Sequence, residues 1–196
     1  MALELLQVGE PILRQNARPL SAEEIVSAEI QQLISSMHDA LQRAPGVGLA
    51  APQIGVAIQL AIIEDLPEYS RDIADSELIA RERKPIDFHV IVNPRITHAG
   101  ETQVEFFEGC LSLAGFTALV SRSRQVIVDC LNERGEQRTI EASGWYARIL
   151  QHEIDHLNGT LYIDRMHSPS FMSLENYKRL WKGKSTEAIK TKLIRT

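Results

Sequence analysis

Residues 151–159 read QHEIDHLNG, and within them His152, Glu153 and His156 form an H-E-x-x-H. On a helix, residues four apart share a face with Cβ atoms about 5–6 Å apart, so His152 and His156 could offer both imidazoles to one cation. Glu153 would project beside them without being a ligand, where a carboxylate can take a proton from metal-activated water. Catalysis of this kind needs a third protein ligand and an open position for the water.

Three solutions for that ligand can be read along the chain. The extended pattern H-E-x-x-H-x-x-G-x-x-H is excluded, because Gly159 falls in place but Tyr162 stands where the last histidine would be. A glutamate on a later helix is a second solution; Glu175 is available for it, within a polar S-L-E-N-Y where a lone glutamate is usually solvated. The third is Cys110, in VEFFEGCLSLAG. A cysteine after a strand and beside Gly109 can turn its sulfur inward while the following backbone N–H groups point into the same cavity. Taken alone, such a cysteine is more often a small core hydrophobe, and Cys130, inside VIVDCL, is read that way. His38, His89, His98 and His167 lack ligand-like spacing and read as surface or satisfied polar residues. On the residues alone, Glu175 and Cys110 both stand.

The elements that must position these groups follow from periodicity. Ser21 and Glu24 form a capping box, after which Val26, Ile30, Leu33, Ile34, Met37 and Leu41 recur at helical spacing until Pro45-Gly46, predicting one amphipathic helix. GVGLAAPQIG (46–55) reads as a loop with three glycines and a proline, leading into a buried strand at 58–63. Residues 64–88 read as a long excursion with a helical turn around 76–83. Strands are predicted near 89–94, 103–109, 118–122, 125–131 and 137–142, with a hairpin turn at 132–135. The H-E-x-x-H lies on a helix over 144–157, with Trp145, Ile149, Leu150, Ile154 and Leu157 on or near one side and a stop at Asn158-Gly159. A third helix is suggested near 173–182 by Leu174, Tyr177 and Trp181. This order of elements predicts an α+β fold.

The chain has 196 residues, 44% of them hydrophobic and 24% charged, enough for one sizeable core. A net charge of -5 gives no electrostatic reason to expect DNA or an anionic membrane as partner. The N-terminus lacks the features of a secretory signal, and no apolar run approaches the roughly 18–20 residues of a membrane span. With two cysteines only, a disulfide framework is not expected, which favours a reducing, cytoplasmic location.

Three separated stretches, GVGLAAPQ (46–53), EGCLS (108–112) and QHEIDHLNG (151–159), resemble in order and spacing the three signature motifs of the peptide deformylases. VGEPILRQNARPL near the N-terminus and LYIDRM after the third motif are also similar to that family, so the resemblance covers essentially the whole chain as a single catalytic domain, 1–196. It implies antiparallel sheets around a central H-E-x-x-H helix, with an N-terminal amphipathic helix and a C-terminal helix. It also implies a hydrolase that removes the formyl group from the N-terminal formylmethionine of new polypeptides and releases formate. By the same resemblance Cys110, His152 and His156 hold the metal, typically Fe2+, with Zn2+, Ni2+ or Co2+ able to substitute. Glu153 shuttles the proton, and the side-chain amide of Gln53 and the backbone N–H of Leu111 meet the developing oxyanion. The substrate peptide lies against backbone around Gly46 and Gly48. Its methionine enters an apolar pocket walled by His152, with Ile149, Trp145 or Phe107 as further candidates.

Two positions depart from the family pattern. Ala114 and Thr117 stand where many members carry a proline and an arginine that helps bind the peptide beyond methionine, so peptide recognition there is expected to differ. Between Lys178 and Arg195 lie seven basic residues (Lys178, Arg179, Lys182, Lys184, Lys190, Lys192 and Arg195) against the single acid Glu187. Such a run is commonly a solvated helix face. In bacterial members the C-terminal helix can dock on the ribosome, which makes ribosomal RNA a candidate partner.

Overall fold

The computed structural model describes residues 3–71 and 73–193. Among them six α-helices and two sheets follow in the order α1 (Ala22–Ile25), α2 (Ala28–Gln42), β1 (Gly48–Ala50), β2 (Leu60–Asp65), α3 (Asp75–Arg81), β3 (Ile86–Ala99), β4 (Gln103–Cys110), β5 (Leu113–Ser123), β6 (Gln125–Leu131), β7 (Gln137–Ser143), α4 (Gly144–Leu157), β8 (Met172–Ser173), α5 (Leu174–Leu180) and α6 (Thr186–Leu193). One sheet has the order β1-β2-β3-β6-β7 and the other β4-β5-β8. All pairings between these strands are antiparallel, as the α+β reading requires.

Helices cover both faces of the five-stranded sheet. Leu60, Ile62, Val90 and Val92 pack toward Ile30, Ile34, Met37 and Leu41 of α2. Their neighbours Ala61, Ile63 and Ile91, with Val126 and Val128, pack toward Ile149, Leu150, Ile154 and Leu157 of α4. A strand buried on both faces reads as an unbroken apolar run, which is why 58–63 shows no alternation.

Several boundaries differ from the sequence expectation. The first helix is two: Ser27 accepts from the Ile30 N–H at 3.3 Å and its hydroxyl donates to the Glu24 carbonyl at 2.7 Å, restarting the helix. Val26 falls at the break and is 57% exposed, so it is not part of the buried stripe. The 46–55 loop contains β1, paired with β2 through Gly48–Ile63 and Ala50–Ala61. The 64–88 excursion carries α3 and already begins β3 at Ile86. β3 also runs past Pro94, through register shifts between Val92 and Arg95 and between Ile96 and His98 that let a proline be accommodated. β5 starts at Leu113, earlier than expected. The C-terminal part holds a second helix, α6, whose Ile189 is buried against Phe107 and Leu119.

Candidate functional site

α4 spans Gly144–Leu157 as its periodicity predicts, but it is enclosed on more than one side. One side meets the sheet. Another carries Arg148, Asp155 and His156, all buried, toward the β4–β5 hairpin, while the buried Glu153 faces Gly48 of β1. At the end of β4 the ladder slips between Glu108 and Cys110, a bulge of the kind that re-aims side chains. The hairpin thereby presents the Glu108 carboxylate to His152 and the Cys110 sulfur to His156.

The donor atoms converge. Cys110, His152 and His156 each place one ligand atom within 4.8 Å of the others, with Cys110 Sγ 3.2 Å from His156 Nε2. The imidazoles of His152 and His156 meet edge to face with centroids 5.0 Å apart. His152 Nδ1 is 2.9 Å from Glu108 Oε2, which leaves Nε2 as its ligand atom. One sulfur and two imidazole nitrogens suit a divalent transition ion. Glu175 is exposed on α5 and is not a member of this group, so the alternative built on it falls.

Electrostatics divides the nearby acids. Burial alone would raise the Glu108 carboxyl, but the His152 hydrogen bond and the Arg122 guanidinium hold it well below the usual range. Among the described residues no cation hydrogen-bonds to Glu153. Burial pushes it up to about 7, and its Oε2 has no hydrogen-bond partner among the described residues. Burial likewise lowers His156; it also opposes charge on His152, where the hydrogen bonds to Cys110 and Glu108 outweigh it and favour a positive centre.

The glycine-containing segment forms the opposite wall. The side-chain oxygen of Gln53, Oε1, accepts from the Ala50 N–H at 2.9 Å, and its side-chain nitrogen Nε2 is turned toward Cys110 Sγ at 3.5 Å and Ser112 Oγ at 3.2 Å. A Cβ on Gly48 would lie 2.4 Å from Glu153 Oε1, and one on Gly46 would lie 2.9 Å from Leu111 Cδ1. Close approach thus demands glycine at 48, where three atoms of Glu153 would be crowded, whereas at 46 the nearest atom is a leucine methyl that can give way. Gln53, Gly46, Gly48, Leu111, Cys110, His152, Glu153 and His156 all border one locale.

A family model for polypeptide deformylase matches residues 2–171. The chain belongs to this family. Its members are hydrolases that remove N-formyl groups from nascent peptides. The chain is 43% identical over 173 residues to peptide deformylase 1A, chloroplastic, of Solanum lycopersicum, covering 88% of this chain and 62% of that protein. With peptide deformylase 1 of Streptomyces coelicolor it shares 40% over 179 residues, 91% of this chain and 80% of the relative. The Met-Ala-Ser-bound crystal structure of a class I type b peptide deformylase from Acinetobacter baumannii superposes with a TM-score of 0.75 at 33% identity, covering 85% of this chain and 99% of the other.

Where this family member departs from the common motif, the structure gives a use for the residue. Thr117 is buried, and its hydroxyl donates to the Glu108 carbonyl at 2.7 Å, so it supports the hairpin from inside. The loop through Ala114 is held by the N-terminal segment, whose Gln7 donates to the Leu111 carbonyl at 2.9 Å and accepts from the Ala114 N–H at 3.2 Å. Of the candidates for a methionine pocket, Phe107 is displaced. It packs with Leu119, Tyr177 and Ile189, in the cluster that holds the C-terminal helices. Trp145 lies under the Arg81 and Arg83 guanidiniums, and Ile149 lies in the α4 core with Val47 against it. His38, His89 and His167 pair with Glu64, Tyr146 and Glu105, and His98 is exposed. Cys130 is buried in the core, and burial pushes its thiol up to about 11.

Motif spacing missed an alternating network around the site. Arg122 donates to both oxygens of Glu108, at 2.6 and 3.0 Å, and to Asp155 at 2.8 Å. Arg165 grips Asp155 with two bonds of 2.7 Å, and Arg148 donates to Glu108. Glu108 opens the EGCLS motif and Asp155 lies inside the H-E-x-x-H, yet nothing in their spacing marks them as an ion network.

Proposed function

We propose that this chain, acting as one catalytic domain over residues 1–196, hydrolyses the formyl group from the N-terminal formylmethionine of newly made polypeptides. The observation that carries this reading is the convergence of Cys110, His152 and His156 within 4.8 Å, beside the buried Glu153 carboxylate, which pairs with no cation among the described residues. We assign the three as ligands of a divalent ion, Fe2+ in the cell, with Zn2+, Ni2+ or Co2+ able to replace it. When bound, such an ion supplies Lewis acidity and brings the pKa of water toward about 7.

The residues then divide the work. Gly46 and Gly48 offer backbone to the extended peptide, and Ile149 with Val47 and His152 line the space for its methionine. Water adds to the formyl carbon and Glu153 accepts its proton; a buried carboxylate with a raised pKa holds a proton readily near neutral pH. We assign the Gln53 side-chain amide and the Leu111 N–H to meet the charge that builds on the formyl oxygen. Glu153 then returns the proton to the amine nitrogen as the C–N bond breaks, because an unprotonated amine anion is a poor leaving group. Formate and the free N-terminus result.

Formate release from formyl-Met-Ala-Ser by anaerobically purified protein, beside a Glu153→Ala control, tests the reading. No release from fully metal-loaded protein overturns it.

We further propose that the protein works in the cytoplasm and contacts the ribosome through its basic C-terminal segment. No helix among the described residues is long and apolar enough to cross a membrane. Lys178, Arg179 and Lys182 are exposed, whereas Lys190 pairs with Glu105 and Lys184 lies over the Trp181 ring; Arg195 is outside the described residues. Deleting residues 178–196 would also strip Ile189 from the core, so reversal of Lys178, Arg179 and Lys182 to Glu is the cleaner test. Unchanged co-sedimentation with ribosomes at low salt would refute the contact.

A further inference from the structure

Three elements meet at the site: α4 carries His152 and His156, β4 carries Cys110, and β5 closes the hairpin behind it. One side chain of α4 bonds the backbone of both strands. Arg148, 2% exposed, lies one helical turn before His152. Its Nη1 donates to the Val120 carbonyl of β5 at 3.0 Å and to Glu108 Oε1, and its Nη2 donates to the Val104 carbonyl of β4 at 2.6 Å. Arg148 and His152 therefore grip the same carboxylate, one on each oxygen, closing a ring between helix and hairpin.

Arg122 also binds Glu108, but its other end is anchored on Asp155, which it shares with Arg165, a side chain 50% exposed. Arg148 is anchored on strand carbonyls instead. Those two backbone bonds fix where α4 sits over β4 and β5, and the Glu108 contact passes that position to the His152 ring.

We propose that Arg148 is a positioning residue that sets the separation between the helix-borne histidines and Cys110. The inference rests on the metal reading above. A single flexible ammonium cannot reach Val104, Val120 and Glu108 in the fork geometry of a guanidinium, so charge alone does not replace it.

The test is Co2+ titration of the wild-type, Arg148→Met and Arg148→Lys proteins under anaerobic, reducing conditions. It reads affinity together with the sulfur-to-cobalt and visible absorption bands. Loss of such supporting contacts costs about 10- to 100-fold in metal affinity. Arg148→Met is expected to fall in that range with altered visible bands, and Arg148→Lys to recover only part of the affinity. If Arg148→Met fails to fold, Arg148→Lys carries the test. Wild-type affinity and spectrum in the variants, even with a lowered Tm, would overturn the proposal by reducing Arg148 to a structural role, and full recovery by Lys would overturn it by reducing the role to charge. Wild-type protein that binds no Co2+ would sink the metal reading itself, a distinct outcome.

Discussion

Gly48→Ala is the smallest change that tests whether Glu153 must stay where it is. Gly48 is buried in β1 opposite Ile63 and does not have positive φ, so an alanine there brings no backbone strain. Its methyl would stand 2.4 Å from Glu153 Oε1, 2.7 Å from Cδ and 2.9 Å from Cγ. Ordinary contact begins near 3.5 Å, so the oxygen must retreat by about 1 Å. Cδ and Cγ are crowded too, so rotating the carboxylate tip does not suffice and the whole side chain must shift within a buried space. Overpacking of this kind costs about 1–3 kcal/mol of stability, which leaves a folded protein. Misplacing a reacting group by about 1 Å can cost about 100-fold in rate, or roughly 2.7 kcal/mol of barrier. The assay is kcat for formate release from formyl-Met-Ala-Ser, with Co2+ affinity measured alongside. We expect kcat to fall about 100-fold while metal affinity stays near wild type, because the nearest atoms to the new methyl all belong to Glu153. In a Glu153→Ala background the same substitution should cost little more, since the group it displaces is gone. An equal loss in both backgrounds, or a wild-type kcat in Gly48→Ala, would refute the reasoning.

Other consequences are as direct. Cys110→Ala should release the metal and abolish formate production, whereas Glu175→Ala should leave metal content and rate unchanged; metal analysis of both decides between the two ligand sets. Arg122→Met leaves Glu108 and Asp155 each short of a cation, and breaking a buried pair costs about 3–5 kcal/mol; with Arg148 and Arg165 still in place we expect the lower end, read from urea unfolding. Glu153 gives a pH signature in metal-free protein. Its native pKa of about 7 lies above the ordinary 4.5, so the native state binds the proton more tightly. The stability this confers is full below about 4.5 and is lost as pH rises through 7, a change of about 3 kcal/mol. Glu153→Gln should remove that loss, making the metal-free variant more stable than the wild type at pH 8 by thermal melts. A wild type whose stability relative to the variant does not change between pH 4.5 and 8 would count against a raised pKa.

What the sequence made legible depends on how strongly physics restricts a position. The helix over 144–157 could be placed because a long apolar period and a clear stop signal agree on it. The break at Val26 was not visible, since Ser27 competes for the backbone with a hydroxyl that looks no different in a continuous helix. β1 hides inside a run of glycines and alanines, where three residues pair through backbone alone and no side chain announces a strand. α6 hides for the opposite reason: it is mostly polar, and only Ile189 is deeply buried.

The same distinction divides the site. Cys110, His152, His156 and Glu153 could be singled out because metal chemistry admits few residue types in that pattern. Arg122, Arg148 and Asp155 could not, because arginines and acids in a helix or strand usually mark a solvated face. Here they are buried between α4 and the β4–β5 hairpin. Apolar packing alone would seat the hairpin on the helix without selecting one arrangement in which a cysteine sulfur meets two imidazoles. Bidentate ion pairs are directional, and the slip in the ladder at Glu108–Cys110 gives them a target. Hydrophobic patterning therefore accounts for the sheet and its helices, and directional charge accounts for the few ångströms that separate a folded hairpin from a competent site. On this reasoning, Arg148→Lys, which keeps the charge and loses the fork, should disturb metal binding more than it disturbs the fold, the reverse of what large-to-small substitutions at Ile63 or Leu150 should do.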